Sequence, residues 1–289
     1  MEKGTIPRST VSGGIDLRTT LQSGQSFLWN RTDGNMYAES SDDAWYYTVS
    51  DGEVVFVRQQ SDRLEWRATT DAADNLRRRL RLQDDLDEIF DSFPEDVALA
   101  RARDRYPGLR VIRDPFFPCL VSFICSARTT VEQIHGFQTE LAREFGNPID
   151  VDGTTYHTYP QPAQLAAVPE AQLRDLGLGF RAPYIKQTAS MVTSGELTAA
   201  MVWDEPYKTV HERLQSFTGV GPKVADCVAL FALGHLEAVP VDRWTRRLIE
   251  TYFPDLARET YGETADAFRE HFGQYAGYAQ TYLFHYERS

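Results

Sequence analysis

The sequence predicts an α+β protein in which an N-terminal antiparallel sheet is followed by a mainly helical half. From about Ile15 to Trp66 the apolar residues are aromatic or β-branched and come in short blocks. After Asp71 they recur at three and four spacing, and Gly and Pro cut this second stretch into helix-length pieces. With 289 residues, 42% of them apolar, the chain can bury the core of one large or two modest domains.

In chain order, Ala44–Val49 and Glu53–Val57 flank Asp51-Gly52 and read as a hairpin. Leu76, Leu80, Leu86, Ile89, Phe90 and Phe93 then carry the helical period, and the change of period marks a seam. We divide the chain into a sheet domain with its following helices, 1–113, and a helical domain, 114–289. Seven acids and no base lie between Asp84 and Asp96, a composition expected of solvated helix faces. Leu120 to Phe145 reads as one amphipathic helix, and Pro162–Leu176 and Ala182–Val192 as shorter ones, with Gly177-Leu178-Gly179 as a break. No internal repeat is visible.

The longest apolar run, Cys227 to Leu233, is far below the ~20 residues a bilayer-spanning helix needs, and no signal pattern opens the chain, so a soluble, intracellular protein is expected. Three cysteines, Cys119, Cys125 and Cys227, are too few and wrongly spaced for a four-thiolate zinc site or an iron–sulfur cluster. The histidines, His285 among them, show no ligand spacing, so no metal is expected. The net charge is −12, and only Lys3, Lys186, Lys208 and Lys223 are lysines. Such a surface suits a high-salt cytoplasm, although a GC-rich genome explains the arginine excess equally. Taken alone it argues against binding nucleic acid, so any phosphate contact must be built locally.

The local answer lies at Leu214-Gln215-Ser216-Phe217-Thr218-Gly219-Val220-Gly221-Pro222-Lys223. A helix ending at Thr218, a turn through two glycines, and Pro222 in the first position of a new helix make a helix-hairpin-helix. The backbone N–H groups at Gly219, Val220 and Gly221 would then meet a phosphate without a cationic side chain. Arg243, Arg246 and Arg247 follow at helical spacing and either face the same phosphates or pair with the chain's acids. Lys223, in the first turn of its helix beside apolar residues, is placed for a lowered pKa and so for nucleophilic chemistry. Asp242, after Pro240, opens another helix as its N-cap and is also a fixed counter-charge.

Gly219-Val220-Gly221-Pro222-Lys223-Val224-Ala225-Asp226-Cys227 followed by Val239-Pro240-Val241-Asp242 resembles the helix-hairpin-helix DNA glycosylase superfamily, and the lysine resembles its 8-oxoguanine DNA glycosylase/AP lyase family. Segments 21–27 (LQSGQSF), 122–126 (SFICS), 176–182 (LGLGFRA) and 279–284 (AQTYLF) recur in the same order, so the likeness spans nearly the whole chain. It implies an N-terminal domain resembling the TATA-binding-protein fold and a partner of double-stranded DNA from which an oxidised guanine is flipped. By the same resemblance Lys223 attacks C1′ and Asp242 orients the amine. The Gly24 carbonyl accepts the N7–H that guanine lacks, Cys227 and Phe284 sandwich the base, Gln280 reads its edge, and Phe231 closes the pocket. Phe180 would wedge into the vacated stack, while Arg181 and Arg128 would contact the orphaned cytosine and Arg243 and Trp244 the backbone.

Departures from the family's pattern are Arg128 and Gln133 in place of an asparagine and a later arginine, Trp244 for a histidine, Phe231 for a methionine and Leu28 for an arginine. They leave the opposite-base preference open. The resemblance implies a monomer needing no cofactor beyond an ion at the hairpin, in the nucleoid of a prokaryotic, archaeal cell. The alternatives are a monofunctional alkylpurine-type glycosylase, which has no need of Lys223, and a non-catalytic hairpin module that grips DNA.

Overall fold

A computed structural model describes residues 1–38, 43–50 and 52–288. Its first layer is a five-stranded antiparallel sheet of β1 (Glu2–Pro7), β2 (Asn30–Arg31), β3 (Tyr46–Ser50), β4 (Glu53–Gln59) and β5 (Arg63–Ala68), in the order β1-β5-β4-β3-β2. The β3–β4 hairpin is the one expected, pairing Val49 with Val54 and Tyr47 with Phe56, although Asp51 lies outside the described residues. The sheet extends further toward the N-terminus than its composition suggested, because β1 pairs with β5 from Glu2 onward.

The stretch from Ile15 is not all strand: α1 (Leu17–Gln22) interrupts it. Asp16 caps this helix by accepting the Thr19 N–H at 2.9 Å, and Leu17, Thr20 and Leu21 are buried at helical spacing. On one face of the sheet α1 and α2 (Ala73–Arg79) enclose Ile6, Val55, Val57 and Leu64. On the other, Val54 and Phe56 are covered by the short hairpin of β6 (Pro148–Val151) and β7 (Thr154–His157). Burial on both sides explains why Val54 to Val57 reads as an unbroken apolar run.

Helices α3 (Leu86–Asp91) and α4 (Val97–Arg105) bury Leu86, Ile89, Phe90 and Leu99 in the larger helical core. Two of the seven clustered acids, Asp85 and Asp96, are the N-caps of these helices. The expected helix 120–145 is two, α5 (Phe116–Ile124) and α6 (Val131–Phe145). The chain turns between them through Arg128, at φ +54°, and α6 restarts with a capping box of Thr130 and Gln133.

The stretch from Pro162 likewise divides into α7 (Pro162–Ala167) and α8 (Glu170–Leu173), followed by α9 (Ala182–Ser194). The rest of the body is α10 (Tyr207–Leu214), α11 (Pro222–Val228), α12 (Arg243–Tyr252), α13 (Tyr261–Phe272) and α14 (Ala276–Arg288). Among the described residues no helix is long and apolar enough to cross a membrane.

Two buried arginines join the layers. Arg79 pairs with Asp114 at 2.9 Å, donates to the Thr48 hydroxyl at 3.0 Å and lies over the Trp29 ring. Arg110 donates to the carbonyls of Ser12, Gly14, Arg81 and Asp84 at 2.6 to 2.9 Å, so one cation ties three loops together.

Candidate active site

The hairpin forms between α10 and α11. Helix α10 ends at Leu214 rather than Thr218, and the turn occupies 215–221. Only one of its glycines is demanded by conformation. Gly219 has φ +83°, and a Cβ there would sit 2.8 Å from the Tyr184 ring, whereas Gly221 is extended at φ −96° with open space at the Cβ position. Gly221 supplies no side-chain cap, and Pro222 occupies the first helical position. The N–H groups of Gly219 and Gly221 have no acceptor among the described residues, so the turn presents them outward, whereas that of Val220, expected to join them, is donated to the Phe217 carbonyl at 3.1 Å and Val220 itself is buried.

Lys223 stands in the first turn of α11 and points at the recess between the layers. Its Nζ donates to the Ser126 hydroxyl at 3.1 Å and lies 5.1 Å from the centre of the Phe123 ring. One turn on, Cys227 is buried. Burial pushes its thiol up to about 12 while Lys223 opposes the shift, so it remains a neutral thiol.

Asp242 caps α12, accepting the Thr245 N–H at 2.8 Å, which fixes its carboxylate at the rim of the same recess. Gln280 of α14 donates its amide to the Thr245 hydroxyl at 2.9 Å, leaving its carbonyl oxygen for a ligand. Lys223, Cys227, Phe231, Asp242, Gln280 and Phe284 all line this one recess, closed on the sheet side by Ser23, Gly24 and Gln25. Its volume is about 50 Å³, room for water but not for a base, and Phe284 is covered by the Arg288 guanidinium, 5.1 Å from its ring centre.

Gly24 has φ +88°, and a Cβ there would approach Val131 to 3.0 Å. Its neighbour Gln25, to which sequence reasoning gave no role, sets its position. Gln25 donates to the carbonyls of Thr20 and Arg110 at 3.0 and 2.7 Å and accepts the Ile112 N–H at 2.8 Å, pinning the loop to a segment 85 residues away. A buried glutamine has no sequence signature of its own. Ser126 was also missed as the partner of Lys223, although it lies inside one of the recurring segments.

The residues expected to face the DNA divide into two groups. Phe180, Trp244 and Arg128 are exposed, Phe180 by 48%. Arg243, Arg246 and Arg247 form no ion pair among the described residues, so the reading that they pair with the chain's acids is not the one the structure adopts. Arg181 departs from expectation. It is 8% exposed, and its guanidinium donates to the Ala127 carbonyl and the Thr129 hydroxyl, bracing the loop that presents Arg128. Gln133 is exposed, and its Oε1 accepts the Thr130 N–H at 3.2 Å in the capping box of α6.

A sheet layer, a helix-hairpin-helix and a lysine sharing a recess with a helix-capping aspartate define a DNA base-repair protein of the helix-hairpin-helix class. Residues 121–274 match the family model described as HhH-GPD superfamily base excision DNA repair protein, and residues 8–120 the model of the 8-oxoguanine DNA glycosylase N-terminal domain. The chain belongs to the HhH-GPD superfamily.

It is 34% identical over 255 residues to the N-glycosylase/DNA lyase of Saccharomyces cerevisiae, covering 80% of this chain and 66% of the yeast protein. It is 30% identical over 305 residues to the N-glycosylase/DNA lyase OGG1 of Arabidopsis thaliana, covering 96% and 79%. Among solved structures, MBOgg1 in complex with a low-affinity DNA ligand superposes with a TM-score of 0.87 at 32% identity, covering 100% of this chain and 99% of that one. The Clostridium acetobutylicum 8-oxoguanine glycosylase/lyase, bound to duplex DNA with cytosine opposite 8-oxoguanine, superposes with a TM-score of 0.85 at 28% identity, covering 95% and 92%.

Proposed function

We infer that the chain is a bifunctional DNA glycosylase/AP lyase that excises 8-oxoguanine from duplex DNA. One observation carries the reading: the only lysine of the hairpin helix and the aspartate that caps α12 line a single recess, with a thiol, three aromatic rings and two amides around them. A purely DNA-gripping module has no use for that set, and a monofunctional glycosylase has no use for the lysine.

In this reading the target nucleotide leaves the stack and enters the recess once Phe284 swings from under Arg288. The Lys223 lone pair forms a bond to C1′ while the bond to N9 breaks, and the base departs with the electron pair. Positive charge develops on the sugar in that step, and Asp242, held by its cap bond, balances it without reorganising. Opening of the sugar ring gives a Schiff base, and loss of a C2′ proton then expels the 3′ phosphate. The uncovered Gly24 carbonyl favours the lesion, because 8-oxoguanine carries N7–H where guanine has a second acceptor.

Cys227 stays protonated and packs against the base face, so it does not compete as nucleophile. Exposed Phe180 fills the gap in the duplex, Arg128 meets the opposite base, and the hairpin amides with Arg243 and Trp244 hold the backbone. The chemistry needs no cofactor, and every group named comes from one chain, which supports a working monomer. Incubation with a duplex containing 8-oxoguanine should yield a nicked strand without alkali, and Lys223→Gln should abolish it. Undiminished nicking by that variant would require another nucleophile.

A further inference from the structure

Behind Lys223, α11 buries a second acid that the chemistry above leaves unused. Asp226 is wholly buried, and a tyrosine holds each of its oxygens: the Tyr207 hydroxyl donates to Oδ1 at 2.5 Å and the Tyr261 hydroxyl to Oδ2. The other ionisable groups facing it are His211, with Nε2 3.7 Å from Oδ2, and Arg269, which donates to the Tyr207 oxygen at 2.9 Å. Burial raises the Asp226 carboxyl above the usual range, while His211 and the two hydroxyls act against the shift.

The two tyrosines are not equivalent. Beyond Asp226, Tyr207 reaches Arg269, on the side away from the recess. Tyr261 instead accepts the N–H of Val241 at 3.3 Å, and Val241 immediately precedes Asp242. A continuous path therefore runs from the helix that carries the lysine, through the Asp226 carboxylate and the Tyr261 hydroxyl, to the backbone that carries the aspartate.

We propose that Asp226 and Tyr261 are positioning residues, forming a strut that sets the separation of the Lys223 amine from the Asp242 carboxylate. The inference rests on the glycosylase reading above. Neither residue touches the substrate. Their effect is on geometry, and misplacement by about 1 Å can cost on the order of 100-fold in rate. Loss of one bond of the strut shifts the loop by less.

The test uses the full chain in single-turnover excision of 8-oxoguanine, with duplex affinity and borohydride trapping on a pre-formed abasic site measured alongside. Tyr261→Phe keeps the ring and the packing, and should slow excision about tenfold with duplex affinity unchanged. Its trapping on the abasic duplex should persist, since that step bypasses glycosidic cleavage. Asp226→Asn, nearly isosteric, should slow the same step. Tyr207→Phe deprives the carboxylate of an equal bond but does not touch the Asp242 loop, and should stay within about twofold of the parent. Equal slowing by both tyrosine variants, or slowing by neither, would overturn the strut and leave Asp226 as packing alone. An unsubstituted protein that leaves 8-oxoguanine in place would overturn the glycosylase reading itself, and the same assay separates that failure from the other.

Discussion

At the scale of single residues, fixed acceptors and donors decide what the recess can recognise. In the proposed reading Gly24 acts through its carbonyl, and its backbone disfavours a side chain twice over, by a left-handed φ and by the approach of Val131. Gly24→Ala should therefore lower 8-oxoguanine excision by at least about tenfold, since the backbone must leave a conformation that costs an L-residue about 1–2 kcal/mol. Reaction at a pre-formed abasic site, with no base to recognise, should be spared. Single-turnover rates on the two substrates check this, and equal losses on both would remove the recognition role.

Local motifs such as Gly219 to Lys223 were legible because turn, proline and lysine are contiguous and their spacing has a mechanical meaning. The fate of Arg181 was not. Its guanidinium does lie over the Phe180 ring, 4.4 Å from the centre, but the pair is not an exposed one, because its hydrogen-bond partners, Ala127 and Thr129, more than 50 residues away, hold the arginine in a buried place.

Among the elements, the seam between sheet and helices is held by ionic contacts that replace water in a buried place. Arg79 and Asp114 are both almost fully buried, so removing one leaves the other charged and unpaired. Asp114→Ala should cost about 3–5 kcal/mol, measured by urea unfolding, and a change below ~1 kcal/mol would mean the seam tolerates water.

Helix α14 adds a pH dependence. Burial, then Arg288, lowers the His285 imidazole from 6.5 to about 4, beside the Tyr106 ring at 4.3 Å. The unfolded chain thus binds a proton that the folded chain refuses. The stability from neutral His285 is complete above about pH 6.5 and is lost as pH falls toward 4. The melting temperature of His285→Phe should fall less than that of the parent between pH 7 and 4.5, and parallel curves would contradict this.

The break between α5 and α6 shows where element reading failed, since the apolar period continues across Cys125–Thr130. The signal that could have found it, Thr130-x-x-Gln133 as a capping box, was present in the sequence.

For the whole molecule, the proposed reading reconciles a net charge of −12 with DNA binding through local contacts: outward hairpin amides, arginines such as the exposed Arg128, and an exposed aromatic ring. The two-layer plan was legible from the change of apolar period, which follows directly from strand and helix geometry. The closing of the site was not. Composition alone makes Cys227, Phe284 and Gln280 ordinary helix residues, and only the resemblance of several distant segments brought them together with Gly24.

The central claim is that the Lys223 amine becomes covalently attached to the sugar. Borohydride reduction during reaction with an 8-oxoguanine duplex, followed by peptide mapping, tests it most directly. The account predicts a deoxyribose-derived adduct on the peptide containing Lys223. An adduct on any other residue, or excision with no adduct at all, would contradict it.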